Sequence, residues 1–451
     1  MKIAFIGTGY VGLVSGTCFA ELGLDVTCID KDKGKIAQIK KGKLPIYEPG
    51  LAELVEKNIK SKRLKFTNSL KEGVEKADII FIAVGTPTDN KNGSADLSYV
   101  YSAAEELAEY IRSGAIVVTK STVPVGTGKN VKKIISSKRK GVKFEVASNP
   151  EFLREGCAVN DFLQPDRIIV GLESDSARSK IEQLYKPLTT KGIPLLFTDI
   201  QTAELTKYAA NAFLATKIAF INEVADMCEK TGANINDLAK GIGTDHRIGE
   251  SYLSPGPGYG GSCFPKDTLA LQYMAKEWKS GEKIISGVIS SNDKRKNNMA
   301  GKVVAALGGN AKGKTIAVLG LAFKANTDDM RESPAIPIVE GLLKAGAKLK
   351  AYDPQAMEEA KKYIKGNVKY VGSSYEAMKD ADAAVIITEW AEFSNLDFDK
   401  VRDSLKTPLI IDFRNLYNPG RMRERSLSYI SIGREDVRVA NLKLATKKNK
   451  F

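Results

Sequence analysis

Cys263 stands in the stretch HRIGESYLSPGPGYGGSCFPKDTLAL, residues 246 to 271, rich in glycine and proline ahead of a helical start expected near Asp267. Such a loop presents backbone to a ligand. Cys263 lies three residues before Lys266 and four before Asp267, close to a helix amino terminus, a setting that favours thiolate and sets it apart from an ordinary structural cysteine. A second pair is Lys207 and Asn211, four apart on one face of the long helical pattern Thr202 to Thr231, with Asn222 returning near the same stripe. Lys in a helix is usually solvated and Asn inside a helix is locally unfavourable, so their pairing marks this stripe for function. Neighbouring Ala209, Phe213 and Leu214 lead us to expect a face that is buried yet polar.

A third constellation opens the chain. Residues 2 to 6 (KIAFI) read as a buried strand, Gly7 to Gly12 as a turn, Tyr10 to Gly23 as a helix and Asp25 to Ile29 as a second strand. Within this βαβ unit GTGYVG matches G-x-G-x-x-G. Gly7 permits the tight turn, Gly9 lets backbone approach a pyrophosphate, and Gly12 lets helix pack on strand. The helix amino terminus then faces the phosphates. Asp30 ends the second strand 18 residues after Gly12, where a carboxylate accepts from ribose hydroxyls and repels the 2′-phosphate of NADP. The cofactor expected is therefore NAD. Further strands, DIIFIAV at 78 to 84 and AIVVTK at 115 to 120, run into GTPT and STVPVGT. That places Thr86 and Thr122 at strand carboxyl ends, the edge that holds the ligand in doubly wound sheets. Their competing reading is as ordinary turn residues.

These residues need elements to hold them, and the chain repeats the first set. KTIAVLG at 314 to 320 resembles residues 2 to 7. KAGAKLKAYDP at 344 to 354 resembles 20 to 30, and ADAAVIIT at 381 to 388 resembles 77 to 84. The fold class expected is α/β: two Rossmann-like doubly wound domains joined by a central helical domain built on a long spine helix. The second half lacks the glycine fingerprint, because LAFKANTDD follows Gly320, so it suits a different nucleotide or a purely structural sheet.

Bulk properties narrow the class. A chain of 451 residues exceeds what one core usually serves, so two or three domains are expected. The net charge of +14 is spread along the length, often beside Glu or Asp, with dense basic runs only at Lys138 to Lys140 and in the tail at Lys447, Lys448 and Lys450. This reads as solvated surface, with no nucleic-acid motif and no nucleic-acid partner expected. Five cysteines, Cys18, Cys28, Cys157, Cys228 and Cys263, form no CxxC pair and point to a reducing cytoplasm. The apolar start carries Gly7, Gly9, Gly12 and Gly16, which would weaken a membrane-spanning helix, and no membrane association is expected. No metal site is expected. The single histidine, His246, lies in the HRIG loop away from the other candidates, so a His general base is hard to assemble.

Together the motifs resemble the nucleotide-sugar 6-dehydrogenases. The marks are GTGYVG at 7 to 12, PIYEPGL at 45 to 51, STVPVGT at 121 to 127, NPEFLREG at 149 to 156, ELTKYAANAF at 204 to 213, GYGGSCFPKD at 258 to 267 and FKANTDDMRES at 323 to 333. The resemblance spans essentially the whole chain. It implies an NAD domain over 1–198, a central helical and dimerisation domain over 199–296 and a UDP-sugar domain over 297–451. The implied reaction is a four-electron oxidation of a sugar C6 alcohol to a carboxylate with two NAD in succession. Cys263 would add to the C6 aldehyde, and a thioester would be left for water to cleave. Lys207 and Asn211 would stabilise the oxyanion, while Asp267 and a water held by Thr122 and Glu151 would handle protons.

For NAD the resemblance transfers Gly7, Gly9, Tyr10, Val11, Gly12, Asp30, Lys35, Thr86, Thr122, Glu155, Lys266 and Arg331. For the nucleotide-sugar it transfers Glu151, Phe152, Leu153, Lys207, Asn211, Arg247, Tyr252, Leu253, Ser254, Gly260, Lys324 and Arg414, the last two suited to a pyrophosphate. A homodimer or larger homo-oligomer is implied. PIYEPGL and GYGGSCFPKD look more like the branch acting on UDP-glucose than those acting on GDP-mannose or UDP-N-acetylmannosamine. Two other classes compete. The two-electron hydroxyacid dehydrogenases also join a Rossmann domain to a helix carrying a Lys, but lack such a cysteine. A nucleotide-sugar sensor would have lost turnover, whereas every catalytic residue is present here.

Overall fold

In the computed structural model, which describes residues 1–439, strand follows helix along most of the chain. The first sheet has eight strands: β1 Lys2–Ile6, β2 Asp25–Ile29, β3 Leu64–Thr67, β4 Ile79–Ile82, β5 Ile116–Thr119, β6 Glu145–Ser148, β7 Ile168–Gly171 and β8 Leu195–Thr198. Their order is β3-β2-β1-β4-β5-β6-β7-β8, parallel except where β7 meets β6 antiparallel at Ser148 and Gly171. The second sheet contains β9 Thr315–Leu319, β10 Lys348–Tyr352, β11 Val368–Tyr370, β12 Ala383–Ile386, β13 Leu409–Asp412 and β14 Ser428–Ile430. Its order is β11-β10-β9-β12-β13-β14, all parallel. The first six strands of one sheet and all six of the other thus follow the doubly wound order 3-2-1-4-5-6.

The central strands are continuous apolar runs because helices cover both faces of a parallel sheet. IIFI in β4 and IVVT in β5 are buried at every position. Phe5 of β1 stacks on Phe81 of β4 with ring centroids 4.5 Å apart, and Phe19 of the helix Tyr10–Glu21 caps both. That helix ends at Glu21, two residues before the expected Gly23, because Gly23 takes a positive φ and closes its last turn by donating to Ala20.

The echo between the two halves extends to atoms. Gly7 N donates to Ile29 O at 2.8 Å, and Gly320 N donates to Tyr352 O at 2.9 Å. Thr8 N donates to Asp30 and Leu321 N to Asp353. The second copy has a different use for its carboxylate, since Asp353 is fully buried and accepts from Trp390 Nε1, Ala322 N, Gln355 N and Ala356 N. Those donors leave it nothing to offer a ribose.

Contacts divide the chain into two compact units. The first is Met1–Ala210 with Leu269–Ser280, and the second is Asn211–Thr268 with the chain from Gly281 onward. The long helix Ile200–Thr231 starts two residues earlier than the periodicity predicts. Among the described residues no helix is long and apolar enough to cross a membrane. The basic tail at Lys447, Lys448 and Lys450 lies outside the described residues.

Candidate active site

In the first unit the glycine turn is shaped by close approaches. Gly7 has φ +102°, and a Cβ there would stand 2.5 Å from Ala83 O. A Cβ on Gly12 would stand 2.0 Å from Gly7 O, whereas one on Gly9 would meet nothing within 4 Å. Gly9 is the N-cap of the helix Tyr10–Glu21 and brings no side chain to the helix amides, which leaves them open to an anion. The open space at Gly9 is where a pyrophosphate would lie against backbone, so this turn fits NAD.

Asp30 at the end of β2 is more occupied than its sequence position implies. Its Oδ2 accepts from Thr8 N, Thr8 Oγ1 and, at 2.9 Å, Lys35 Nζ, while Oδ1 accepts only Asp32 N. Burial pushes the carboxyl up, but these donors outweigh it and hold the group at about 2. It is a fixed negative charge, and Oδ1 keeps a lone pair for a ribose hydroxyl. Lys35 is committed to Asp30. Thr86 and Thr122, at the carboxyl ends of β4 and β5, meet through Thr86 Oγ1 donating to Thr122 O at 2.9 Å. Val11 packs against the first core.

Tyr10 reaches elsewhere. Its hydroxyl donates to Glu48, a buried carboxylate of PIYEPGL that also accepts Gly156 N and Ala158 N, both at 2.7 Å. Gly156 N is also 2.9 Å from the Tyr10 hydroxyl. Glu48 therefore ties the glycine-turn helix to the loop 151–157 that carries Phe152, Leu153 and buried Glu155. The sequence marked this motif without giving Glu48 a role.

The same unit holds a buried charge cluster at the carboxyl ends of β5 and β6. Lys207 Nζ lies 3.1 Å from Glu151 Oε1, with both side chains almost wholly buried. Glu151 Oε2 accepts the amide of Leu153. Phe152 carries Arg167 over its ring at 3.8 Å and Lys207 at 5.3 Å. Lys120, absent from the sequence expectations, is buried beside them. It donates to Asn149 Oδ1 at 3.0 Å and Asn149 O at 3.3 Å. Burial pushes Lys120 down to about 8, Glu151 pulls it up and Lys207 pushes it further down.

In the second unit Cys263 immediately precedes the helix Phe264–Glu277, which begins three residues before the expected start because Asp267 N donates to Cys263 O at 2.8 Å. Ser262 Oγ lies 3.5 Å from the thiol sulfur. Asp267 is fully buried. Asn211 Nδ2 donates to its Oδ2 at 2.6 Å, and Lys266 Nζ pairs with its Oδ1. Lys266 is thus turned to a catalytic candidate.

The loop before Cys263 is fastened by polar side chains. Asn292 accepts Tyr259 N at 2.8 Å and donates to Tyr259 O, Asn222 accepts Gly256 N, and Arg295 Nε donates to Gly256 O. A Cβ at Gly260 would strike Glu332 O at 2.3 Å. Tyr252, with φ +66°, has its ring 6.1 Å from that of Phe264; Leu253 is buried and Ser254 exposed.

Lys324 and Arg414 both follow strand carboxyl ends of the second sheet, after β9 and β13. Arg414 is largely engaged, with Nε on Ile387 O and Glu389 and Nη2 on Phe323 O. Lys324 Nζ lies 5.6 Å over the ring of Phe323. Arg331 forks Asp329, and its carbonyl accepts Gly261 N. Arg247 forks Asp245 in an exposed turn beside exposed His246.

One expectation fails on the long helix. Lys207 and Asn211 are buried, with Ala203, Tyr208, Ala212 and Ala215 around them, but Ala209 and Phe213 are exposed. At 3.6 residues per turn, a residue two positions on sits about 200° round the helix. The polar stripe and the Ala209–Phe213 stripe therefore face opposite ways.

Comparison with known proteins places these features. The NAD binding domain model of the UDP-glucose/GDP-mannose dehydrogenase family matches residues 1–189, its central domain model 201–294 and its UDP binding domain model 317–419. The chain belongs to that family. It is 54% identical to a UDP-glucose 6-dehydrogenase of Rhizobium meliloti, over 97% of this chain and 100% of that one. It is 49% identical to one from Bacillus subtilis, over 97% and 94%. Among solved structures, a UDP-glucose dehydrogenase from Pyrobaculum islandicum aligns with TM-score 0.88 at 37% identity, over 96% of this chain and 98% of that one. A UDP-D-ManNAc dehydrogenase from Pyrococcus horikoshii aligns with TM-score 0.84 at 30% identity, over 97% and 100%. The family's NAD binding domain contains the glycine turn, and its UDP binding domain contains Lys324 and Arg414.

Proposed function

We propose that this member of the family oxidises UDP-glucose at C6 to UDP-glucuronate. The observation that carries the reading is Cys263 at the head of a helix with Asp267 one turn on, held by Asn211. A two-electron alcohol dehydrogenase has no use for that cysteine. NAD, when bound, supplies the acceptor for one hydride at each of two oxidations.

The chain's own residues do the rest. As the C6 hydroxyl becomes an aldehyde its proton goes to the Asp267 side or to a water ordered by Glu151 and Thr122. The Cys263 thiol then adds to the aldehyde: the carbon–sulfur bond forms, the carbonyl π pair moves onto oxygen, and the thiol proton passes to that oxygen to give the thiohemiacetal. Lys207 and the Asn211 amide stabilise negative charge on that oxygen. The second oxidation leaves a thioester. Water adds to its carbonyl, the carbon–sulfur bond breaks, and Cys263 returns as thiol with the carboxylate as product. The balance is one alcohol, one water and two NAD giving one carboxylate, two NADH and three protons.

The same reading assigns 1–198 to NAD, 199–296 to the central helical domain and 297–451 to the UDP-sugar, and makes the protein a cytoplasmic homodimer or larger homo-oligomer. Phe213, Phe220 and Met227 recur every seven residues on the long helix and are all more than half exposed, a seam suited to the same seam on a second copy. Cys18 and Cys28 sit as buried thiols, pushed up to about 12 by burial, which suits a reducing compartment. The test is NADH formed per UDP-glucose consumed, with GDP-mannose and UDP-N-acetylmannosamine alongside. Two NADH and an acid product from UDP-glucose are expected. One NADH, none, or preference for another sugar overturns the reading.

A further inference from the structure

Lys120 directly follows β5 with its ammonium almost wholly buried, and it forms no ion pair among the described residues. Both oxygens it binds belong to Asn149. That residue is held by three further hydrogen bonds, since its Oδ1 also accepts Tyr185 Oη at 2.5 Å, its Nδ2 donates to Ile169 O at 2.8 Å and its backbone N donates to Thr119 O at 2.9 Å. Two residues on, Glu151 makes its buried pair with Lys207. A buried ammonium bound only to neutral oxygens is costly and persists where its charge is used. Here the charged groups around it are Glu151 and Lys207, with the Tyr185 hydroxyl reaching it through Asn149.

We propose that Lys120 is a positioning residue for Glu151: it locks the segment 149–151 through Asn149 and puts a second positive charge beside the carboxylate that Lys207 already faces. The inference rests on Glu151 having the proton-handling role proposed above. The lock fixes the direction of the Glu151 carboxylate, and the added ammonium charge acts on the same buried group that Lys207 pairs with. Burial pushes Lys120 down to about 8, so this support is itself lost in alkaline solution.

The test compares Lys120→Met, Lys120→Gln and Lys120→Arg with Tyr185→Phe, which removes the other ligand of Asn149 without changing charge. For both neutral variants we expect kcat to fall at least about tenfold, KM for UDP-glucose to change less than about threefold, and the acid limb of the kcat profile to move up by about half a pH unit or more. Lys120→Arg should keep the limb in place, and Tyr185→Phe should lower Tm alone. A carboxyl-13C glutamate titration of ligand-free protein, assigned with Glu151→Gln, reads the same shift without turnover. If either neutral variant keeps the wild-type limb and titration, or Tyr185→Phe moves them equally, the inference is overturned. Failure of wild type to form NADH would instead defeat the functional reading and leave the titration decisive for Lys120.

Discussion

Asn211 Nδ2 and Asp267 Oδ2 lie 2.6 Å apart, joining the long helix to the first turn of the helix that Cys263 opens. The amide orients the carboxylate, and Lys266 engages the other oxygen. Asp267→Asn places two amides face to face and removes the acceptor for a substrate proton. We expect kcat to fall about 100-fold, within the range for one general acid–base group, with KM for UDP-glucose little changed. Initial rates of NADH formation check this, and a kcat within threefold of wild type would remove Asp267 from the proton path.

The second and third glycines of the turn separate fold from cofactor. Gly12→Ala drives a methyl into Gly7 O and should yield protein that unfolds early or is insoluble, since neither backbone segment can retreat from a 2.0 Å approach. Gly9→Ala meets open space. Its Tm should match wild type while KM for NAD rises at least about tenfold, because the methyl occupies the pyrophosphate's approach. Thermal melts with NAD titrations settle both, and unchanged NAD affinity in Gly9→Ala would move the cofactor away from this turn.

Glu204 illustrates a pH effect on stability. Its carboxylate accepts Gly126 N and Gly128 N at 2.7 Å each at the start of the helix Thr127–Lys138. Burial nonetheless pushes it from 4.5 up to about 7 against those two donors. The folded protein then holds a proton that the unfolded chain has lost between about pH 4.5 and 7. The group's contribution is fully present below the lower value and disappears as pH rises through the upper one. Glu204→Gln cannot titrate, so calorimetric Tm from pH 5 to 8 should fall for wild type relative to the variant. Parallel curves would show a carboxylate already ionised across that range.

What the sequence made legible is local. KIAFIGTGYVG specifies strand, turn and helix through neighbouring residues, and β1, β2, β9 and β10 occupy the positions that apolar runs and punctuating glycines predict. The same regularity exposes the repeat of the second sheet. Lys120 was invisible because a lysine after IVVT reads as the solvated end of a strand, and only packing across β5, β6 and the long helix shows it buried. Glu48 was hidden for the same reason, its partners lying more than a hundred residues away at Gly156 and Ala158. Phe213 misleads because nearness in sequence does not make a shared face: residues two helix positions apart point nearly opposite ways.

Cys263 carries the heaviest consequence. Without a nucleophile the first oxidation remains possible, since removal of one hydride from C6 needs a base and an oriented alcohol but no sulfur. The second needs a carbon bearing both hydrogen and a departing electron pair, which the thiohemiacetal supplies. Cys263→Ser keeps a hydroxyl that is a far weaker nucleophile at neutral pH and a poorer leaving group from the acyl stage. The variant should therefore stall at the aldehyde or the ester, with no more than one turnover's worth of NADH per active site in a burst and steady-state acid formation down at least about 1000-fold. Mass spectrometry of the quenched enzyme distinguishes the two stalls, since only the ester adds the mass of the UDP-sugar acyl group to the chain. Full turnover by Cys263→Ser, or by wild type after iodoacetamide has alkylated Cys263, would refute covalent catalysis.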